Sequence, residues 1–202
     1  MRLSIRFSTR VLATLVAMLL CLSGGCRATM HERGESQIIL QGAYGNPRGD
    51  DPLWWIGNGD AENYGVNVQY NYFVNSDFAL SAIVTPYRVY KLNGDDTSSS
   101  ELQVGLRWFF TEFMVGRQPL SLYLDVQVGR MHSQDPVPRN GTTTNWTQDM
   151  GFGLEYALSD SWSLVGGYHL RHVSDGSSRG VTENDNPSQN DDIWFFGVGY
   201  RW

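Results

Sequence analysis

Cysteine is almost absent from this sequence. The two cysteines, Cys21 and Cys26, both lie near the start of the chain, and no cysteine follows them. Small exported domains are often held together by disulfide bonds. The part of the chain after Cys26 has no pair of cysteines that could form one, so packing and hydrogen bonding must hold the fold together.

Long apolar runs are also scarce. The apolar run Val11–Leu22 follows a positively charged start and precedes small residues, so we interpret residues 1–28 as an export signal and 29–202 as a single folded domain. Ordinary cleavage after Ala28 is the favoured reading, and lipid attachment at Cys26 is the alternative. No later stretch approaches the ~20 consecutive apolar residues of a spanning helix, which excludes helical membrane spans but not the alternating strands of a membrane barrel.

Positive charge is in short supply. The chain carries 15 basic and 21 acidic residues, a net charge of −6, which becomes −10 once the four arginines of residues 1–28 are removed. Nucleic-acid binding relies on basic patches that neutralise phosphates. We therefore exclude nucleic acid as a partner.

Alternation of apolar and polar residues is what the sequence has in abundance. Period two places successive side chains on opposite faces of a strand. It predicts eight strands: Ser36–Gly45, Tyr64–Asn75, Phe78–Tyr90, Glu101–Phe110, Leu120–Met131, Trp146–Leu158, Trp162–Ser174 and Asp192–Trp202. We expect long polar loops at 46–63, 92–100, 132–145 and 175–191, and a shorter connection at Thr111–Pro119.

These strands predict an all-β fold, an eight-stranded antiparallel transmembrane β-barrel of the outer-membrane type. The strand number is even, and tryptophans concentrate near strand ends, as in the aromatic girdles of such barrels. We therefore expect the bacterial outer membrane as its location. A soluble sandwich or lipocalin-like barrel would alternate too, but the export signal and the tryptophans argue against it. Parity predicts three lipid-facing residues (Val68, Leu122, Phe152) and three inward ones (Gln69, Asp125, Glu155).

The seventh predicted strand carries the most obvious chemistry. Its apolar parity continues to His172 and Ser174, so both side chains should face outward at the outer rim, where the strand meets a long loop. A serine becomes a nucleophile when a base takes its proton, and the base needs an acid to orient it. By parity Asp192 is the best acid, with Asp191, Glu183 and Asp185 as alternatives. A polar pair at a barrel rim without any catalytic role is the simpler interpretation.

Arg171-His172-Val173-Ser174, followed by Asn186-Pro187 and a short aromatic last strand, resembles the lipid A 3-O-deacylase family. The resemblance implies an outer-membrane ester hydrolase without metal or organic cofactor that acts on lipopolysaccharide. It implies His172 as general base and Ser174 as nucleophile in a Ser-His-Glu type triad on the outer barrel surface. Whether two copies form a homodimer stays open.

This chain departs from that family at two positions, so two functional hypotheses remain: an ester hydrolase and a non-catalytic barrel. The family has Asn directly after the serine, as part of the oxyanion hole, where this chain has Asp175; backbone N–H groups near Asp175 and Gly176 could still serve. The family's Glu after Asn-Pro-Gly has no counterpart, so an aspartate would have to replace it, Asp175 among the candidates. The alternative is a non-catalytic barrel whose acidic loops bind a partner or divalent cations, or which stabilises the membrane.

Overall fold

Eight antiparallel strands close into one barrel in the computed structural model, which describes residues 30–48, 61–91, 96–176 and 188–202. The strands are β1 (Ser36–Arg48), β2 (Ala61–Phe73), β3 (Phe78–Lys91), β4 (Asp96–Val115), β5 (Gln118–Ser133), β6 (Thr144–Ala157), β7 (Trp162–Ser174) and β8 (Gln189–Arg201). Each strand pairs with its sequence neighbours, and β8 pairs with β1. The predicted fold class is confirmed.

The two faces of the wall follow the predicted parity. Val68 and Phe152 are 42% and 57% exposed, and Leu122 lies on the same outward face. Gln69, Asp125 and Glu155 are at most 1% exposed and point inward. Because the polar residues fill the inside and the apolar ones cover the outside, the barrel is inverted relative to a soluble protein, as a lipid environment requires. None of the described segments forms a helix with the length and hydrophobicity that a bilayer crossing demands.

Ion pairs and aromatic rings share the barrel interior. Arg107 forms two hydrogen bonds of 2.8 Å with the Asp125 carboxylate, and its guanidinium lies 3.8 Å from the centre of the Tyr123 ring. Nearer the outer end, Arg171 donates a 2.8 Å hydrogen bond to Glu101. Pairing of this kind is what allows charges to be buried, since removing one partner would leave the other unsolvated.

The connection predicted at Thr111–Pro119 is wrong. β4 continues to Val115 and β5 begins at Gln118, so only a two-residue turn separates them. The strand register shifts between Phe109 and Thr111, as it does at a β-bulge, and this shift broke the alternation on which the prediction relied. β4 also begins earlier than expected, at Asp96, within the loop predicted at 92–100.

The residues just before β1 close the periplasmic end of the barrel. His31 is 2% exposed, and its ring stacks on Phe73 with centroids 4.1 Å apart. The backbone N–H of Met30 donates a 2.9 Å hydrogen bond to Glu112, which lies in the extended β4–β5 hairpin. This bond helps to explain why the half-buried carboxylate of Glu112 is tolerated there. The predicted export signal, residues 1–28, lies outside the described residues.

Candidate active site

β7 presents His172 and Ser174 on the lipid-facing surface of the barrel, at its outer end. Both side chains are half-buried, and the residues between and beside them, Arg171 and Val173, are buried inside. This is the direct result of the period-two pattern of β7, which continues to the last residue of the strand. The predicted outward placement of the pair is confirmed. The described residues show no hydrogen bond between the His172 ring and the Ser174 hydroxyl.

Asn190 is the hydrogen-bond partner of His172 on the neighbouring strand. The two residues are directly opposite each other in the β7–β8 ladder, and His172 Nδ1 lies 2.8 Å from Asn190 Oδ1. An amide oxygen can only accept, so the imidazole donates from Nδ1, and the lone pair of the neutral ring is then on Nε2. That is the tautomer that a general base needs. Sequence reasoning missed Asn190 because it searched for a carboxylate.

Asp192 faces outward as predicted, but its contacts are with other residues. It is opposite Leu170 in the ladder, one residue pair below His172 on that face. Its Oδ1 accepts a 3.0 Å hydrogen bond from Arg48 and a short one from the Tyr168 hydroxyl. The structure therefore places Asp192 beside the site without a hydrogen bond to His172.

The remaining predicted site residues lie in three places: the barrel interior, the turn directly after β7, and the part of the chain outside the described residues. Asp191 points inward, where it accepts a 3.0 Å hydrogen bond from Asn63, so it cannot be the acid of an outward-facing triad. Asp175 is 3% exposed, directly after β7. Gly176 has a φ of +66°, a conformation that favours glycine. Glu183, Asp185 and Asn186-Pro187 lie outside the described residues.

An apolar groove of about 270 Å³ crosses the outer surface next to His172. Two of its lining residues, Gln148 and Asn190, are the ladder partners of His172 on either side. Its apolar lining comes from four side chains on β5, β6 and β7, namely Val126, Val128, Met150 and Leu170. The described residues contain no cluster of three or more His, Cys, Asp or Glu side chains suited to a metal ion.

A closed eight-stranded barrel with an apolar exterior and outward polar groups at one rim defines an integral outer-membrane protein. The chain belongs to the outer membrane protein beta-barrel domain family, whose sequence pattern matches residues 17–201. It therefore resides in the bacterial outer membrane.

Solved structures from other bacteria share this fold. They include outer membrane protein W of E. coli (14% identity, TM-score 0.56, 85% of this chain and 100% of that one). They also include the N-terminal β-barrel domain of Pseudomonas aeruginosa OprF (15%, 0.53, 85% and 100%) and Neisserial surface protein A (18%, 0.51, 83% and 94%). At such identities the likeness extends to the fold alone. No curated protein matches the sequence.

Proposed function

We propose that this barrel is an ester hydrolase that removes the 3-O-linked acyl chain of lipid A in the outer leaflet. The observation that carries the proposal is the hydrogen bond between His172 Nδ1 and Asn190 Oδ1 at 2.8 Å, beside an outward-facing Ser174. It gives the imidazole an orienting partner on the one surface where an acyl ester of a membrane lipid is accessible. The resemblance of the His172–Ser174 segment to lipid A 3-O-deacylases supplies the substrate.

The reaction uses a nucleophile, a general base, backbone oxyanion donors and an orienting amide, all from this chain. His172 Nε2 accepts the Ser174 hydroxyl proton as Oγ attacks the ester carbonyl, and the oxyanion forms near the backbone N–H groups of Asp175 and Gly176. The tetrahedral intermediate then expels the sugar alkoxide, which takes the proton from His172. Water, deprotonated by the same imidazole, then adds to the acyl carbonyl carbon. The bond to Ser174 Oγ breaks as Oγ takes that proton back from His172, and the fatty acid is released. Asn190 keeps the ring oriented throughout, as the Asn of Cys-His-Asn proteases does.

The apolar groove offers a place for the acyl chain. Met150 and Leu170 are lipid-facing, and they line the groove together with the ladder partners of His172. A chain lying there would run along the wall of the barrel with its carbonyl directed toward the rim. A groove open to the membrane lets the lipid enter sideways, without leaving the leaflet.

Mass spectrometry of lipid A tests the proposal. Cells that express the protein should produce lipid A lacking one ester-linked 3-hydroxyacyl chain, and cells expressing Ser174→Ala or His172→Ala should not. Both variants should reach the outer membrane in normal amounts, because neither side chain packs inside the barrel. Nucleophile and base act as a unit, so each substitution alone should remove nearly all activity.

A non-catalytic barrel is the competing function, favoured by one observation. Asp175 follows the serine at the position where the resemblance implies a neutral hydrogen-bond donor. Unchanged lipid A in expressing cells, with the protein folded in the membrane, would establish this alternative.

A further inference from the structure

Arg130 is an exposed cation on the lipid-facing surface of the outer rim. It lies near the end of β5, and its guanidinium is 5.1 Å from the centre of the Trp146 ring. Within the described residues Arg130 has no carboxylate partner. The two other outward arginines on the strands of the outer half do have one, since Arg48 pairs with Asp192 at 3.0 Å and Arg88 with Asp96 at 4.0 Å.

Trp146 connects this cation to the candidate active site. In the sheet it is directly opposite Arg130 on one side and Ser174 on the other. Arg130 and Ser174 are thus two strand spacings apart, roughly 10 Å. The ring also packs under the turn after β7, because a Cβ built on Gly176 would be 3.1 Å from Trp146 Cδ1. The Trp146 ring therefore lies beside both the Arg130 guanidinium and the turn at Gly176.

We propose that Arg130, supported by Trp146, binds a phosphate group of the glycolipid whose ester reaches Ser174. The identity of the lipid rests on the proposed function. Guanidinium is the side chain best suited to phosphate, because its planar set of N–H donors matches two phosphate oxygens. Stacking on Trp146 limits the positions that the guanidinium can take, and an interface position keeps it at headgroup level.

This arrangement makes Arg130 a positioning residue for the scissile ester. With the phosphate held at β5 and the nucleophile at β7, the sugar headgroup spans Trp146, and its acyl chain is directed into the groove between them. The same geometry predicts discrimination between a phosphorylated lipid and its dephosphorylated form. An arginine that only shields Trp146 from water would not discriminate.

Lipid binding, measured without turnover, tests the proposal. Native mass spectrometry of the full chain in detergent, in a Ser174→Ala background, would compare diphosphorylated lipid A with chemically dephosphorylated lipid A. Arg130→Gln should weaken binding of the phosphorylated lipid by about fivefold, the loss expected for one partly screened charge pair. It should leave binding of the dephosphorylated lipid unchanged. Arg130→Lys should retain part of the affinity.

Arg88→Gln is the matched control, because Arg88 is an outward arginine on β3, four strands from β7 in either direction around the barrel. It should bind both lipids like the parent. Equal affinity of Arg130→Gln and the parent for the phosphorylated lipid, or an equal loss for both lipids, would overturn the proposal. So would displacement of the lipid by excess inorganic phosphate, which would identify a free-anion site. Because binding is read without hydrolysis, failure of the proposed enzyme activity would leave this result unaffected.

Discussion

At the scale of single residues, the contact between His172 and Asn190 orients the imidazole at the outer rim. An amide oxygen orients the ring but carries no full charge, so Asn190 by itself stabilises the imidazolium formed during attack less than a carboxylate would. Asn190 was within reach of sequence reasoning, since it shares the parity of Asp192. Parity fixes the face on which Asn190 lies, but it does not fix the β7–β8 register that sets Asn190 opposite His172.

Replacing Asn190 with alanine should lower the hydrolysis rate by about 10- to 100-fold, because the imidazole loses its orienting partner while Ser174 remains. The rate is measured on purified lipid A with the variant in detergent. Gln148→Ala is the control, since Gln148 flanks His172 from the β6 side. Equal losses in both variants would mean that the groove was disturbed, and that Asn190 has no orienting role.

Asp175→Asn should raise the hydrolysis rate about tenfold or more. The substitution restores the neutral amide donor that the resemblance implies after the serine, and removing one oxyanion donor typically costs about 100- to 1,000-fold in rate. Asp192→Asn should leave the rate within about twofold, because Asp192 bonds to Tyr168 and Arg48. The assay is the same lipid A hydrolysis. A large loss in Asp192→Asn would restore that residue as the acid.

At the scale of strands, the alternation of apolar and polar residues predicted which strands exist, their order, and which face of the barrel wall each residue occupies. The prediction failed where the chain departs from period two. The turn between β4 and β5 was hidden by the bulge near Phe110 and by polar residues that looked like a loop. One of those, Glu112, accepts hydrogen bonds from the Met30 N–H and the Ser121 hydroxyl, both at 2.9 Å. Such long-range support has no local signature in the sequence.

Gly116→Ala should destabilise the barrel by about 1 kcal/mol. Gly116 has a φ of +66° in the β4–β5 turn, and an alanine in that region is strained even though the space beside it is open. Gly42→Ala is the control, because a Cβ there also meets open space and the backbone is extended. Reversible urea unfolding in lipid vesicles measures both. If the two variants lose the same stability, backbone conformation at Gly116 is not the cause.

At the scale of the whole molecule, the depth of a residue in the lipid-facing band determines how much a charged substitution there lowers the free energy of unfolding. Phe152→Arg should lower the free energy of unfolding by about 2–4 kcal/mol, since Phe152 is exposed on the middle part of β6. Leu158→Arg, in the turn after β6, should cost about 0–1 kcal/mol. Unfolding titrations in lipid vesicles compare the two. Similar costs at both positions would contradict the assigned membrane depth.

The closed periplasmic end should make stability depend on pH. Burial alone lowers the pKa of His31, and nearby Arg201 lowers it as well, but the Glu155 and Glu35 carboxylates, each 3.5 Å away, raise it more, so the net pKa is above its usual value. A raised pKa in the folded state stabilises the barrel fully below the unfolded value of about 6.5. That contribution is lost as pH rises through the folded pKa. Unfolding titrations from about pH 6 to 8 should show a decline that His31→Gln lacks; an identical decline in the variant would assign it to another group.

The pairing of β1 with β8, which closes the barrel, affects the order in which the chain reaches its native state. Ser36 and Trp202 exchange two backbone hydrogen bonds, of 3.1 and 3.0 Å, so the first residue of β1 meets the residue that follows β8. Among the eight strand pairs of the barrel, β1–β8 joins the segments that are farthest apart in the sequence, so it has the greatest entropic cost of forming. Seven hairpin pairings can form from local contacts, which makes the β1–β8 seam the natural last step of assembly. Until it forms, β1 and β8 expose unpaired edges, and the protein is open to pairing with other chains.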